Sequence, residues 1–346
     1  MIYTFHPIKP APAVWEAIKT APDNSIFFTK EWNDYLHRMG VHTLIMEVYC
    51  DENLAGYFVG AHRWVGIGMV LAPSMGTGTY SQGLCMLNEI TQSERISIYQ
   101  QLAQYMYKSH KADYLQICDY QIRNTGDDDS LPALDAASVH YNPRYTYSID
   151  LRPSESELWQ SLHYKSCKYC INKARKEGLT VNRVEKTDEI APFALRHSQH
   201  LKDMMRRKHS KGLPCQRYKN ILALCQSLFP DNALMLEVVT PDGLSIASGI
   251  FAYTKTGTAT YFTAASLEEY MHLCPNELLV WEAMRILHNE GVTDLILGGV
   301  AHYKKKYAPT LAFVPVMIFS RYSVLLNMRR NIKQLYQKMM YREKSK

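Results

Sequence analysis

The chain reads as two similar α/β domains in tandem, and three observations predict it. Its 346 residues exceed what one hydrophobic core usually supports. Strand-like and helix-like patterns alternate along the whole length. The second half also echoes the first. LIMEVYCDENLAGYF at 44–58 and LMLEVVTPDGLSIASGIF at 234–251 share an apolar strand with Glu-Val, a polar turn, and a strand running through Gly to an aromatic. Further on, a helix over 100–110 leads into Asp113-Tyr-Leu-Gln-Ile, as a helix over 277–289 leads into Asp294-Leu-Ile-Leu-Gly. The offset between the matched segments is nearly the same in both cases.

Taken in order, residues 30–39 (KEWNDYLHRM) predict a helix, and 44–50 with 54–65 a hairpin around Asp51-Glu52-Asn53. A long helix over 92–110 and a strand over 113–119 follow. The stretch 123–143 is acidic, then small and proline-containing, and reads as a linker. A strand at 145–151 opens the second half. The expected division is 1–144, then 145–320, then a C-terminal helix at 321–346.

Composition narrows the class. A hydrophobic share of 47% and 24 tyrosines belong to a packed protein. No apolar run reaches the ~18 residues of a membrane span. The first residues, MIYTFHPIKPAPAVWEAIK, lack the basic-then-apolar order of a secretory signal. Eight scattered cysteines then point to free thiols in a reducing, cytoplasmic setting. The net charge of +6 is local: residues 321–346 carry eight Lys/Arg against one acid, so the rest of the chain sums to −1.

Two segments carry the chemistry. In the first, Ser154-Glu-Ser-Glu157 is a capping box that starts a helix running to Gly178. Leu158, Leu162, Cys167, Cys170 or Ile171, and Ala174 form its apolar face. Cys167-x-x-Cys170 therefore reads as core: no second Cys-x-x-Cys or His pair completes a zinc site, and no metal is expected. His163, Lys165, Lys168, Lys173, Arg175 and Lys176 crowd the stretch 163–176, which holds no acid. They make either a solvated face or a grip on phosphate. In the second segment, Pro275 begins a helix with Leu278, Leu279, Ala283, Ile286 and Leu287 inward and Gly291 as stop. A strand, Gly298-Gly299 and then His302-Tyr303-Lys304-Lys305-Lys306-Tyr307-Ala308 follow. The diglycine lets backbone approach a ligand, and lysines beyond it can reach phosphate or a developing oxyanion.

These residues, in this order, resemble the FemAB-like branch of the GNAT superfamily, which includes the peptidoglycan-bridge aminoacyltransferases and acyltransferases of polysaccharide loci. The resemblance rests on YTYSIDLRPSESELWQSL with INKARKEGLTV, and on Pro275, Leu278-Leu279, Gly291, Gly298-Gly299 and Tyr303-Lys304-x-x-Tyr307-Ala308. FFTKEW at 27–32 resembles the family's first-helix entry. The resemblance implies an α/β (α+β) fold of two tandem GNAT-like domains, each a mixed, mostly antiparallel sheet flanked by helices. It implies transfer of an acyl or aminoacyl group onto an amine of a cell-wall or surface-polysaccharide precursor. The donor would be acyl-CoA or aminoacyl-tRNA, with no tightly bound cofactor, and the acceptor a phosphorylated glycan or amino sugar. Lys304 would stabilise the oxyanion or grip acceptor phosphate, with His302, Glu277 and Glu282 as candidate bases. Lys165, Lys168, Lys173, Arg175, Lys176, Arg206, Arg207, Gly298, Gly299, Tyr303 and Tyr307 would line the substrate.

Departures from the family pattern keep rivals open. The pyrophosphate loop of ordinary acetyltransferases is absent before Pro275. Ile296 stands where the family has an Asp, and Ala308 replaces a Gly. The coiled-coil arm of some bridge-forming members is missing between 190 and 230. The alternatives are an acyl-CoA N-acyltransferase on an amino sugar and a non-catalytic phosphosugar-binding module. His197, His200 and His209, with Lys202, Arg206, Arg207, Lys208 and Lys211, read as a basic rim at the site entrance. Gly76-x-Gly78 reads as a flexible binding loop. Val324, Leu325, Met328, Ile332, Leu335 and Met339 recur at helical spacing among cations. That helix packs on its own domain or rests on the inner membrane surface.

Overall fold

The computed structural model describes residues 1–65, 68–71, 83–110, 112–125, 132–142, 144–209, 217–255 and 257–321. The Gly76-x-Gly78 loop, Lys211 and the helix expected over 321–346 (from 322 on) lie outside them.

The first half runs β1 (Tyr3–Ile8), α1 (Pro12–Thr20), α2 (Lys30–Arg38), β2 (His42–Cys50), β3 (Asn53–Val65), β4 (Gly68–Leu71), β5 (Gly83–Met86), α3 (Gln92–Ser109), β6 (Ala112–Cys118), β7 (Asn124–Thr125), α4 (Pro132–Ala136) and β8 (His140–Asn142). The second runs β9 (Tyr145–Asp150), α5 (Glu155–Ser161), α6 (Tyr169–Lys176), β10 (Thr180–Arg183), α7 (Thr187–Arg207), α8 (Tyr218–Leu228), β11 (Ala233–Val239), β12 (Ser245–Tyr253), β13 (Thr258–Ser266), α9 (Pro275–Asn289), β14 (Asp294–Gly299), β15 (Thr310–Phe313) and β16 (Val316–Ser320). The expected linker at 123–143 thus holds β7, α4 and β8.

Each half builds a mixed, mostly antiparallel sheet. The first has the order β1-β2-β3-β4-β6-β16-β8, with β5 on β3; the second has β10-β11-β12-β13-β14-β9-β15-β7. The internal echo is visible in the pairing. Antiparallel β2–β3–β4 leads through α3 to β6, which lies parallel to β4. Antiparallel β11–β12–β13 leads through α9 to β14, which lies parallel to β13. The chain-order division at 144/145 does not describe sheet membership everywhere. β16, from the end of the second half, pairs with β6 and β8 of the first sheet. β7, from the first half, pairs with β15 of the second.

Local chemistry explains the helix ends. Capping boxes Thr91/Glu94 and Ser154/Glu157 start α3 and α5, each oxygen satisfying a first-turn amide. Pro275 begins α9, where its missing N–H costs nothing. The helix expected from 154 to 178 is, however, broken. Leu162 and His163 adopt extended backbone, a π-turn spans Tyr164–Lys168, and α6 resumes at Tyr169. The His163 amide donates to the Lys306 carbonyl (3.0 Å), a tertiary bond that replaces the helical one.

The sheets stack with helices in five layers. α3 and α4 cover the outer face of the first sheet over Phe58, Leu84, Leu115 and Ile117. α5, α6 and α9 cover the outer face of the second over Leu236, Phe251, Leu295 and Leu297. The middle layer is shared: Ile18, Trp32, Phe193, Leu201 and Leu224 pack between Ile45 and Val59 of one sheet and Met235 and Ile250 of the other. Each fully buried Leu, Ile or Phe there contributes roughly 1.5–3 kcal/mol, so the shared layer joins the halves firmly.

Candidate functional site

The parallel pairing of β13 with β14 is short, running from Thr258↔Asp294 to Thr260↔Ile296. Beyond it β13 stays with β12 to Ser266, and β14 stays with β9, its partner on the other side from Asp294 to Gly299. The two strands therefore part, leaving a cleft at their carboxyl ends. A register shift between Ile296 and Gly298 sharpens the departure, and Gly298 has φ +74°, a conformation that penalises any Cβ. The Gly298 carbonyl is held by the Thr146 hydroxyl at 3.0 Å.

Lys304 lies in this cleft. It sits on a 3₁₀ turn, His302–Tyr307, that follows β14 directly. Its Nζ donates to the carbonyls of Leu297 (2.6 Å) and Gly299 (3.0 Å), on the strand that has left its parallel partner. The ammonium also stands 5.8 Å from the ring centroids of Tyr261 on β13 and Tyr303 on its own turn, within cation–π range. Burial, and then the nearby charge of Lys208, lower its pKa from the ordinary lysine value. Tyr261 and the ion pair described next were not singled out in the sequence, and Lys208 was placed only on the outer rim. No spacing rule links 261 or 208 to 304, and the signal was only the run of three lysines.

The cleft has a built wall. Lys306 forms an ion pair with Glu277, the third residue of α9, and both side chains are 14% exposed. Tyr307 is buried beneath them. α9 begins at Cys274 without a side-chain cap, so its first-turn amides are left to other acceptors. The end of α7 closes the far side: Arg207 donates to the Ser266 carbonyl (2.8 Å), and the Glu268 amide donates to Asp203 (3.2 Å). Arg206 is exposed and paired with Asp203 at 2.6 Å.

The basic segment divides into two parts. His163 is tied to the Lys306 carbonyl, so exposed Lys165 lies on the π-turn beside the Lys304 turn. Lys168 donates to the Gln160 carbonyl (2.8 Å) and Lys173 to the His272 carbonyl (2.7 Å). Arg175 pairs with Glu282 (2.9 Å) and lies over Trp159. Lys176 is exposed at the end of α6. Glu282 also takes Arg285 at 2.7 Å, so it is held on the outer face of α9. His302 and Tyr303 are exposed at the mouth.

Two histidines expected on a basic rim are instead core. His197 and His200 are 0% and 3% exposed, and both bind the Ser248 hydroxyl, at 2.8 and 2.7 Å. They sit on the face of α7 that packs on β12, whereas His209 follows the helix end and is exposed. Cys167 is fully buried, as its apolar-face position implies; Cys170 is partly exposed, a free thiol like Cys274.

In the first half, the described residues place a buried charged network beside the end of β6. Where α3 meets the end of β6, Arg95 binds Asp119 (3.2 Å) and Asp23, and Tyr99 donates to Asp119. Gly83 faces this network so closely that a Cβ there would stand 2.3 Å from the Tyr99 hydroxyl.

Residues 161–305, which include the cleft, match the family model of the acetyltransferase (GNAT) domain. No curated protein matches the chain in sequence. Solved structures similar in fold include the following three. The crystal structure of FemX superposes with a TM-score of 0.69 over 91% of this chain and 97% of that one, at 13% identity. L-PGS from Bacillus licheniformis gives 0.53 over 95% and 97%, at 12% identity. A tandem GNAT protein from the clavulanic acid biosynthesis pathway gives 0.50 over 92% and 98%, at 11% identity. The likeness is one of architecture and spans both halves: the chain has a tandem GNAT fold.

Proposed function

We propose that this chain, whose residues 161–305 carry a GNAT domain, is an acyl- or aminoacyltransferase working in the cleft between β13 and β14. The observation that carries this reading is the Lys304 ammonium, fixed on two β14 carbonyls where the strands part. A donor carbonyl entering the cleft meets that cation. The neutral amine of the acceptor attacks the carbonyl carbon, a C–N bond forms, and the oxygen takes up the negative charge. Lys304 stabilises that charge; collapse then expels the thiolate or ribose oxygen of the donor, which takes a proton from Lys304. The proton shed by the attacking nitrogen returns Lys304 to its charged form. Its lowered pKa also suits Lys304 to pass a proton to the leaving group. Positioning and charge stabilisation supply most of the rate.

The acceptor in this reading is an amine on a phosphorylated cell-wall or surface-polysaccharide precursor. Exposed Lys165, Lys176, Arg206 and Lys208 supply the anion-binding rim, whereas Lys168, Lys173 and Arg175 hold the fold together. The donor is an acyl-CoA or an aminoacyl-tRNA, and the uncapped start of α9 accepts its phosphates. The test is a thermal-shift screen against acyl-CoAs, charged tRNA and nucleotide-linked amino sugars, followed by label transfer from any donor that raises Tm. Labelled product, lost in Lys304→Ala, is the expected result. Sugar-nucleotide binding without transfer from any donor would instead favour a phosphosugar-binding module.

A further inference from the structure

We infer that Glu277 and Lys306 are positioning residues that hold the Lys304 turn against α9. The inference rests on the reading that Lys304 is the working cation, and goes beyond it by naming what fixes that cation. A 3₁₀ turn has three residues per revolution, so 303 and 306 share one edge and 304 and 307 the next. Within His302–Tyr307, Lys304 points into the cleft, Tyr307 goes under the turn, and Lys306 reaches α9. The turn closes at Ala308 with φ +52°, a left-handed conformation that a residue with a Cβ adopts at a cost. Such a turn needs contacts from outside itself, and the Glu277 carboxylate supplies the charged one.

Glu277 is well placed to do so. As the third residue of α9 it would ordinarily fold back onto the cap, as Glu94 and Glu157 do on α3 and α5. Here the cap residue Cys274 is left-handed at φ +61°, no capping box forms, and the carboxylate reaches outward to Lys306. The groups facing the pair are Tyr261, Tyr303, Tyr307, Cys167 and Cys274, with no second cation bonded to the carboxylate among the described residues. A charge pair in so little water is costly to break from one side, because the partner stays behind uncompensated. The Lys306 carbonyl, bonded to the His163 amide, ties the same turn to the basic segment. Lys304 thus inherits its place from residues two and three positions along the turn.

The test needs no substrate, so its failure is separate from failure of the transfer reading. Lysines are acetylated in the native protein with an amine-reactive ester, and rates at single residues are read by peptide mass spectrometry. In the parent, Lys304, whose amine is tied to two carbonyls, is expected to react more slowly than exposed Lys305. Glu277→Gln is expected to raise the Lys304 rate about tenfold while Lys173, which is held by the His272 carbonyl, keeps its rate. The charge swap Glu277→Lys with Lys306→Glu is expected to restore slow labelling. Should Glu277→Gln fail to fold, the neutral pair Glu277→Gln with Lys306→Met, which leaves no lone charge, is expected to raise the rate in the same way. An unchanged Lys304 rate in a folded variant, or a folded swap that restores nothing, would overturn the inference.

Discussion

A lysine amine carries three donors and no acceptor, so each place it can rest is set by oxygen atoms and rings. Lys304 uses two carbonyls and two rings, and keeps a face toward the cleft. Lys304→Ala removes the charge without opening the core. It is expected to lower kcat by roughly 10²–10³-fold, the cost of losing one oxyanion donor, with little change in Tm. Transfer at parental rate in that variant would sink the site. If the ammonium is the active form, its lowered pKa brings the alkaline fall in activity to lower pH than an ordinary lysine would. The opposite behaviour is expected at Arg95, which is 3% exposed between Asp23 and Asp119. Arg95→Met strands two buried carboxylates and should cost about 3–5 kcal/mol in chemical unfolding. A loss below about 1 kcal/mol would mean that the carboxylates find water or protons instead. Of the two lysine positions, the motif singled out 304, whereas nothing in a run of three lysines says which one meets a glutamate on the preceding helix.

Among the elements, α7 carries a built-in acid sensitivity. The His200 Nε2 faces the Ser245 carbonyl at 3.1 Å, and a carbonyl only accepts, so the proton sits on Nε2. His200 Nδ1 must then accept from the Ser248 hydroxyl, and the Ser248 oxygen accepts from His197 Nδ1. His197 Nε2 is left as a bare, buried acceptor without a partner among the described residues. Burial first, and then the neighbouring His200, push the His197 pKa down to about 3 from the usual 6.5. The unfolded chain therefore binds more protons than the folded one between those values, and stability falls as pH falls through that window. One such histidine contributes a slope of about 1.4 kcal/mol per pH unit there. His197→Phe should flatten the acid limb of urea-unfolding curves by that amount; an unchanged slope would place the sensitivity elsewhere. The sequence could not separate these histidines from a basic rim, because α7 alternates cations and core residues at the same spacing. It did expose the capping box at Ser154, which is local. It hid the break at Leu162–His163, since the cause is the Lys306 carbonyl, which arrives from the far end of the same half.

At the scale of the molecule, the echo between halves was readable because hairpin, helix and strand recur in order within each. Sheet membership was not readable. Val316–Ser320 carries an ordinary apolar strand pattern, and nothing local to it says that it will lie between β6 and β8. Long-range pairing decides that, as it does for Asn124–Thr125 beside β15. The exchange has a physical consequence. Neither half can be unfolded without removing a strand from the other sheet, and the shared helical layer between the sheets would be exposed at once. The two halves should therefore melt as one unit, with calorimetric and van't Hoff enthalpies in agreement. Phe193→Ala, a fully buried site on α7, is expected to cost about 3–5 kcal/mol. Hydrogen exchange of α3 amides in the first half and α9 amides in the second should accelerate together in that variant, although neither helix belongs to the shared layer. Exchange that quickens in α9 alone would show that the halves open independently, and that the crossing strands and the middle layer do not couple them.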